Sequence, residues 1–310
     1  MLKKFLLSVS LAFAWLFAPP AHAGKYDLDL TNLGSTQGGN TFVTQQNGSF
    51  RSLTSELGVV MAPKPTDTAD SLGLAGFAMS TDISLNTITS GASFWNDSTR
   101  GNVDAVVPTL QLLGRKGLWP GIEIGAGATK LFDSRMWTAS GYGKVAIHEG
   151  FHHLPIPAIA VRGMFSRVLG AKDLFLTTMS LGATISHVFG IGSTFSLSPY
   201  GGFHTLVIVS HSNVLDATPG SDDYQDKLDG SSGDGRDSEF VFRRQDPILR
   251  HRPYLGARVI FNVIRVGAEA MFALAGSTNS DVDLNSGGTE NVRDQSGLQQ
   301  QYSLTVGLDF

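Results

Sequence analysis

The chain has 310 residues, of which 36 are glycine, and charged residues make up only 16% of it. This length suits one large all-β domain, and a net charge of −4 gives no basis for a nucleic-acid partner. The sequence contains no cysteine, which excludes a disulfide framework and a lipidated cysteine.

Residues 1–23 have the pattern of a secretory signal peptide. Lys3 and Lys4 provide the basic end, residues 5–17 are apolar, and the sequence Ala-His-Ala at 21–23 is a small-x-small cleavage site before Gly24. The apolar run of about 13 residues is shorter than the roughly 20 that a membrane-spanning helix needs. We therefore expect export and cleavage rather than a retained membrane anchor.

No apolar run after residue 24 is long enough for a transmembrane helix. A chain that spans a membrane without such a helix must close into a barrel, because every backbone amide inside lipid needs a hydrogen-bond partner.

The first part of the exported chain, residues 24–73, precedes the strands. Residues 24–48 are polar and predict a periplasmic arm or a segment tucked into the barrel. A helix is then predicted over 50–61, with Ser49 as a capping residue and Pro63 beyond its end. It either plugs the lumen or lies at the periplasmic mouth, and an extra strand is the alternative. The apolar residues at helical spacing are Phe50, Leu53, Leu57, Val60 and Met61.

From Leu74 onward, segments with period-two alternation are separated by turn signals. The predicted strands cover 74–88, 105–115, 121–131, 136–147, 157–168, 174–187, 194–209, 254–262, 264–274 and 300–310. One face of each is apolar and the other carries Gly, Ser, Thr, Asn or charge, the pattern of a transmembrane barrel. The predicted fold is therefore all-β, a transmembrane antiparallel β-barrel of about ten strands (74–310) with a short N-terminal helix or plug.

The last segment has five apolar residues on one face, ending at the C-terminus: Tyr302, Leu304, Val306, Leu308 and Phe310. It resembles the closing strand of bacterial outer-membrane β-barrels, which alternates and ends in Phe. The resemblance covers 74–310 and implies location in the cell outer membrane. It also implies contact with outer-membrane lipid and lipopolysaccharide, and recognition by the outer-membrane assembly machinery through these five residues.

Loop lengths agree with this topology. With the C-terminus in the periplasm, the long polar connections at 89–104, 210–253 and 276–297 fall outside the cell, and the short ones fall inside. Trp95, Trp119 and Trp137 lie near predicted strand ends, where interfacial aromatic belts occur.

Six charged residues are predicted to face the lumen: Asp82, Glu123, Lys144, Arg162, Arg258 and Glu269. The predicted hairpin registers place Glu123 opposite Lys144, and Arg258 opposite Glu269. Such charges either fill a closed interior as ion pairs or line a selective path for a small solute.

Two histidine patterns in the sequence resemble parts of known active sites. Residues 148–152 read His-Glu-Gly-Phe-His, which matches H-E-x-x-H, but they end a predicted strand and contain Gly150. A periplasmic turn is therefore expected, with structural or adventitious metal binding and a protease as the alternatives. His211 and Asp216 lie near the predicted outer rim, where outer-membrane aspartyl-type proteases have their site, yet that family's signature is missing. The acidic stretch 216–246 predicts a hydrophilic outer loop, with divalent-cation binding as the alternative. No catalytic residue, metal site or cofactor is assigned.

Three functions follow from these patterns. The first is a passive channel or transporter for small solutes, and the N-terminal helix before a barrel resembles the fatty-acid transporter family, in which an N-terminal segment plugs the lumen. The second is a closed structural or adhesive surface barrel. The third is an embedded hydrolase.

Overall fold

The computed structural model describes residues 24–36, 43–99, 102–149, 156–191, 195–216, 239–242, 244–284 and 288–310. Within these residues, ten long antiparallel strands form one closed sheet, in which each strand pairs with the next and the last pairs with the first. In chain order, β1 to β10 are Phe77–Thr87, Val106–Trp119, Ile122–Leu131, Trp137–His148, Ala158–Leu169, Leu174–Ser186, Phe195–Ser212, Ile248–Phe261, Ile264–Ala273 and Gln299–Asp309.

The predicted fold class is confirmed, and each of the ten predicted strands is present. The largest boundary error is in β8, which begins at Ile248 rather than at residue 254. Arg250 and Arg252 point inward there, and Pro253 follows them. Two inward arginines before a proline have the composition of a loop, which explains the late predicted start.

The strand faces alternate as a lipid-embedded barrel requires. In β1, Met79 and Ile83 are exposed on the outside, whereas Asp82 and Ser84 are fully buried on the inside. In β10, the apolar residues from Tyr302 to Leu308 face outward and the polar ones between them face inward. Apolar-out and polar-in is the reverse of a water-soluble barrel.

The barrel has two different mouths. Of the described residues between strands, the short-turn mouth contains 120–121, 149, 156–157, 187–191 and 262–263, together with the C-terminal Phe310. The long-loop mouth contains the described residues 88–99, 102–105, 132–136, 170–173, 213–216, 239–242, 244–247, 274–284 and 288–298. The last of these includes a hairpin of Asn279–Asp283 with Thr289–Arg293. The described parts of the three predicted long connections thus lie together at one mouth.

The N-terminal segment, residues 24–76, passes between these mouths. Tyr26 donates its amide to the Asp133 carbonyl at the long-loop mouth, at 3.1 Å. The chain continues through the 3-10 turn Leu30–Leu33, the hairpin Gly34–Thr36 with Val43–Gln45, and the helix α1, Asn47–Met61. At the short-turn mouth the Gly117 amide donates to the Gly76 carbonyl, at 2.9 Å.

The predicted helix is present and begins three residues earlier than expected. Its N-cap is Gln46, so Ser49 lies inside the first turn instead of capping it. It ends at Met61 with Ala62 as the C-cap, directly before Pro63. A second short helix, α2, covers Ser93–Asn96 in the first long loop.

Among the described residues, no helix combines the length and the apolar character that a membrane crossing demands.

Candidate functional site: a lumen filled by the N-terminal segment

The helix α1 lies inside the barrel, in the half near the long-loop mouth. A ten-stranded barrel with strands about 4.8 Å apart and tilted by about 40° has a backbone diameter of about 20 Å. A helix with its side chains is about 10–12 Å wide, so one helix and the inward side chains fill such a lumen. Accordingly, every residue of α1 except Gly48 and Ser49 is buried.

An apolar core holds α1 in place. The five plug residues predicted from the sequence, Phe50, Leu53, Leu57, Val60 and Met61, have at most 1% of their surface exposed. They belong to one cluster with inward side chains of the barrel strands, including Leu206, Ile208 and Ile248. A Cβ built on Gly58 would lie 2.6 Å from the Ile208 side chain, so glycine lets α1 approach β7 closely.

Hydrogen bonds connect α1 to the long loops. Glu56 is fully buried, and its carboxylate accepts hydrogen bonds from the Trp95 indole at 2.7 Å and the Thr89 amide at 2.9 Å. Arg51 donates to the Asp246 carbonyl and to the Thr278 hydroxyl, both at 2.9 Å. The expected place of Trp95 in an aromatic belt is therefore wrong, because α2 turns its ring inward to meet a buried carboxylate.

Asp67 is the centre of a buried ion-pair cluster in the half of the lumen near the short-turn mouth. Its Oδ1 lies 3.0 Å from a guanidinium nitrogen of Arg258 and 3.3 Å from one of Arg265. Its Oδ2 contacts Arg115 and lies 3.3 Å from Lys144 Nζ. The N-terminal segment therefore supplies one carboxylate on which cations from β2, β4, β8 and β9 converge.

Three more carboxylates balance this cluster. At distances of 2.7–3.4 Å, the further ion pairs are Glu123 with Arg115 and Lys144, Asp70 with Arg258, and Asp309 with Arg265. Four cations thus face four carboxylates. Buried charges are tolerated when they are paired in this way, and removing one partner is costly.

One of the two predicted cross-strand pairs is present. The register places Glu123 opposite Lys144, and their side chains lie 3.1 Å apart. The other pair is wrong, because Arg258 lies opposite Gly267 and Glu269 lies opposite Gly256. The turn joining β8 to β9 has two residues, with Asn262 in the left-handed region at φ 56°. A two-residue turn shifts the register by two positions from the predicted one while leaving both side chains inward.

The other predicted lumen charges are also inside the barrel. Arg162 is fully buried and donates to the backbone carbonyls of Asp67 at 2.9 Å and Thr68 at 3.1 Å. Asp82 accepts hydrogen bonds from Thr305 and from Gln111, the latter at 3.2 Å. Arg162 therefore holds the extended part of the N-terminal segment against the wall, and Asp82 connects β1 to β2 and β10.

Buried polar side chains of β7, β8 and β9 form a second feature, here named the polar wall: Tyr200, His204, Arg252, Tyr254 and Glu269. The His204 and Tyr254 rings lie 5.2 Å apart, and the Glu269 carboxyl group lies near Arg252. Among the described residues, the Arg252 guanidinium and both His204 ring nitrogens have no hydrogen-bond partner. The polar wall therefore has unused hydrogen-bonding capacity facing the interior.

A cleft of about 540 Å³ opens at the rim of the long-loop mouth. Its lining includes Asp27, Arg135 and Lys172. The Asp27 carboxylate accepts hydrogen bonds from the Arg135 amide at 2.7 Å, the Arg135 Nε at 2.9 Å and the Ser134 hydroxyl at 3.1 Å. Burial raises the pKa of Asp27, but the hydrogen bonds from Arg135, Gly24 and Ser134 outweigh it and leave the pKa below 3.8.

The histidine patterns do not form a site within the described residues. His148 is the last residue of β4, so the start of the H-E-x-x-H match is strand, and residues 150–155 lie outside the described part of the chain. His211 is on the outward face of β7, stacked on Phe175 at 4.8 Å. Of the acidic stretch, residues 217–238 lie outside the described residues as well.

The closed sheet, the apolar outer surface and the polar interior define a β-barrel of the bacterial outer-membrane type. Similar solved structures include the outer membrane protein OprG from Pseudomonas aeruginosa, 12% identical, covering 79% of this chain and 99% of that chain, with a TM-score of 0.33. The transport unit of the autotransporter AIDA-I from Escherichia coli is 9% identical, covering 86% and 99%, with a TM-score of 0.37. The Escherichia coli outer membrane protease OmpT is 8% identical, covering 78% and 99%, with a TM-score of 0.33.

At these identities the similarity concerns the fold alone. No protein-family model matches the sequence. No curated protein sequence matches it either.

Proposed function

We propose that the protein is a closed outer-membrane barrel, sealed by its own N-terminal segment, that acts through the surface at its long-loop mouth. The observation that carries this proposal is the burial of α1 across the lumen. An open passive channel needs a continuous water path, and the helix occupies the space where that path would run. The closed surface barrel is thus favoured over the passive channel.

The apolar core around α1 and the ion-pair cluster at Asp67 both favour an N-terminal segment that stays in the lumen. Withdrawing α1 would expose five buried apolar side chains, each worth about 1.5–3 kcal/mol. Withdrawing the extended chain that follows α1 would also remove Asp67 and Asp70 and leave the four cations of the cluster with two carboxylates. Spontaneous opening is therefore expected to be rare.

The long-loop mouth offers a structured surface for binding. Its hairpin of Asn279–Asp283 with Thr289–Arg293 is connected to α1, because Asn47 donates to Glu290 at 3.0 Å. Directly after the hairpin, Asp294 accepts a hydrogen bond from Ser55 at 2.7 Å. The cleft beside Asp27 and Arg135 lies on the same side. The plug therefore fixes the loops from below, which suits a surface that binds a partner outside the cell.

Conductance in planar lipid bilayers tests the sealing. We expect no stepwise current from the full chain after removal of residues 1–23, and open-pore current from a variant lacking residues 24–73. The deletion variant is the control, because its current would show that the barrel without the N-terminal segment is wide enough to pass ions. Stable current steps from the intact protein, equal to those of the deletion variant, would contradict the proposal.

Surface labelling of intact cells tests the orientation. An epitope tag inserted after Gly288, in the long-loop hairpin, is expected to bind antibody on unbroken cells. The same tag inserted after Asn262, in a short turn, is expected to bind only after the outer membrane is opened. The reverse result would place the long-loop mouth in the periplasm and remove the surface role.

The polar wall favours one second candidate, a gated transporter for a small polar solute. Arg252 and His204 present unpartnered nitrogen atoms to the interior beside the plug, where such a solute would find donors. In this case α1 must move during each transport event, and solute uptake into vesicles is expected.

A disulfide distinguishes the second candidate from the first. The Thr54 and Ser210 hydroxyls lie 3.1 Å apart, between α1 and β7, and the chain has no native cysteine. In the double variant T54C/S210C, a gated transporter should lose uptake on oxidation and regain it on reduction. The single variant T54C is the control. Uptake that is the same in both redox states would exclude movement of α1 as the gate.

A further inference from the structure

Gly24 lies in a tight pocket at the long-loop mouth. It is buried, and a Cβ at this position would lie 2.3 Å from the carbonyl oxygen of Asp133 and 2.8 Å from the Ser134 amide nitrogen. Both neighbours are backbone atoms of the β3–β4 turn, which cannot move aside as a side chain can. Only glycine fits here.

The nitrogen of Gly24 faces a carboxylate. It lies 2.9 Å from Asp27 Oδ2, and the same oxygen accepts from Arg135 Nε at 2.9 Å. Asp27 has only 7% of its surface exposed. The sequence Ala-His-Ala at 21–23 directly before Gly24 is the cleavage pattern of a signal peptide.

We propose that Gly24 is the first residue of the processed protein and that its new α-ammonium group is held by Asp27, which locks the outer end of the plug. A signal-peptide-cleaving protease hydrolyses the Ala23–Gly24 amide bond. Water gives its hydroxyl to the Ala23 carbonyl carbon and a proton to the Gly24 nitrogen, and the resulting amine takes up a second proton from solvent. The hydrogen bond of an amide to Asp27 thereby becomes an ion pair.

The position of this pair has a topological consequence. The processed N-terminus lies at the long-loop mouth, opposite the C-terminal Phe310, and residues 24–76 cross the whole lumen between the two. The Gly24 amide already contacts Asp27 in the uncleaved chain, and removal of the leader converts this hydrogen bond into an ion pair that strengthens the attachment of the segment's outer end.

Two measurements on the protein purified from membranes test the proposal: the intact mass and the rate at which the α-amine is acylated. Intact mass is expected to show a chain that begins at Gly24. Acylation of the α-amine by an N-hydroxysuccinimide ester, located by peptide mapping, is expected to be at least about tenfold slower at pH 7 than in D27N. A rise of about one unit in the pKa of the amine lowers its free-base fraction tenfold.

Asp104→Asn is the matched control. Asp104 contacts the Lys25 amine at 2.8 Å and the Tyr26 hydroxyl at 3.3 Å, without touching Gly24. The acylation rate of D104N should equal that of the wild type. If D27N does not fold, the pH profile of wild-type acylation decides, since its midpoint should lie above the ordinary amine range of about 7.7–8.0. A chain starting elsewhere, or an unshifted midpoint, would overturn the proposal.

Discussion

The two halves of the lumen hold the same N-terminal segment by different physics. Near the long-loop mouth, α1 contributes Phe50, Leu53 and Leu57 to an apolar core that resembles the interior of a water-soluble protein. Near the short-turn mouth, the extended chain offers Asp67 to cations from four strands. The first attachment depends on shape and area, and the second depends on charge balance.

This difference teaches how a barrel built for lipid can be filled. The outward face of each strand must be apolar, so the interior is where the polar half of each alternating strand goes. A plug can meet that interior with opposite charges, or it can meet apolar inward positions where the strands provide them, as Leu206 and Ile208 do. This chain uses both solutions one after the other, first apolar contacts along α1 and then ion pairs at Asp67, within about twenty residues.

The largest expected effect comes from Asp67→Asn, which keeps the side-chain shape and removes the charge. Four cations would then face three carboxylates in a buried site, so the free energy of unfolding should fall by about 3–5 kcal/mol. Equilibrium urea unfolding in lipid vesicles measures this. Asp70→Asn is the control, with an expected loss of about 1 kcal/mol, since Asp70 makes one ion pair and is partly exposed. Equal losses in the two variants would mean that Asp67 is not the centre of the cluster.

Leu57→Ala tests the apolar half of the lumen near the long-loop mouth. Truncating this fully buried residue leaves a cavity beside the apolar core, and the expected loss is about 3 kcal/mol. Ser49→Ala, at an unburied position of α1, is the control and should change the stability little. In the double variant D67N/L57A the two losses should add within about 0.5 kcal/mol, because the sites share no partner. A strong departure from additivity would show that the two halves are one cooperative unit.

The contacts in the two halves of the lumen could be predicted from the sequence only where they depend on residues that are close together in the chain. The apolar spacing from Phe50 to Met61 is a property of one segment, so the helix and its buried face could be predicted. Glu123 and Lys144 could be paired because a hairpin fixes register through a short count of residues. The partner of Arg258 could not be predicted, because the length of the β8–β9 turn decides whether Arg258 lies opposite Glu269 or two positions away from it. Asp67 had no signal, since its partners lie 48 to 198 residues away.

Trp95→Phe tests the contact between α1 and the first long loop. The substitution removes the indole donor to the buried Glu56 carboxylate while keeping an aromatic ring. Hydrogen bonds to charged groups contribute about 1.5–3 kcal/mol, and this loss should loosen α2 and the loop around Thr89 without affecting the Asp67 cluster. Hydrogen exchange followed by mass spectrometry should show faster exchange at 88–99 and unchanged exchange in the strands around Arg115. Faster exchange throughout the barrel would contradict this separation.

The smallest expected effect is at the rim and depends on pH. Because hydrogen bonds hold the pKa of Asp27 below its usual value, its contribution to stability is complete above about pH 3.8 and is lost as the pH falls through the lowered pKa. The amide of Tyr26, which donates to Asp133, should therefore lose protection against hydrogen exchange below about pH 4, after correction for the intrinsic rate. Amides of α1 should stay protected, because the apolar side chains of Phe50, Leu53 and Leu57 hold the helix whatever the pH. In D27N the Tyr26 amide should already be less protected at pH 7 and should change little on acidification. If wild type and D27N lose protection in parallel as the pH falls, the acid-sensitive contact lies elsewhere, and the rim is attached through its backbone alone.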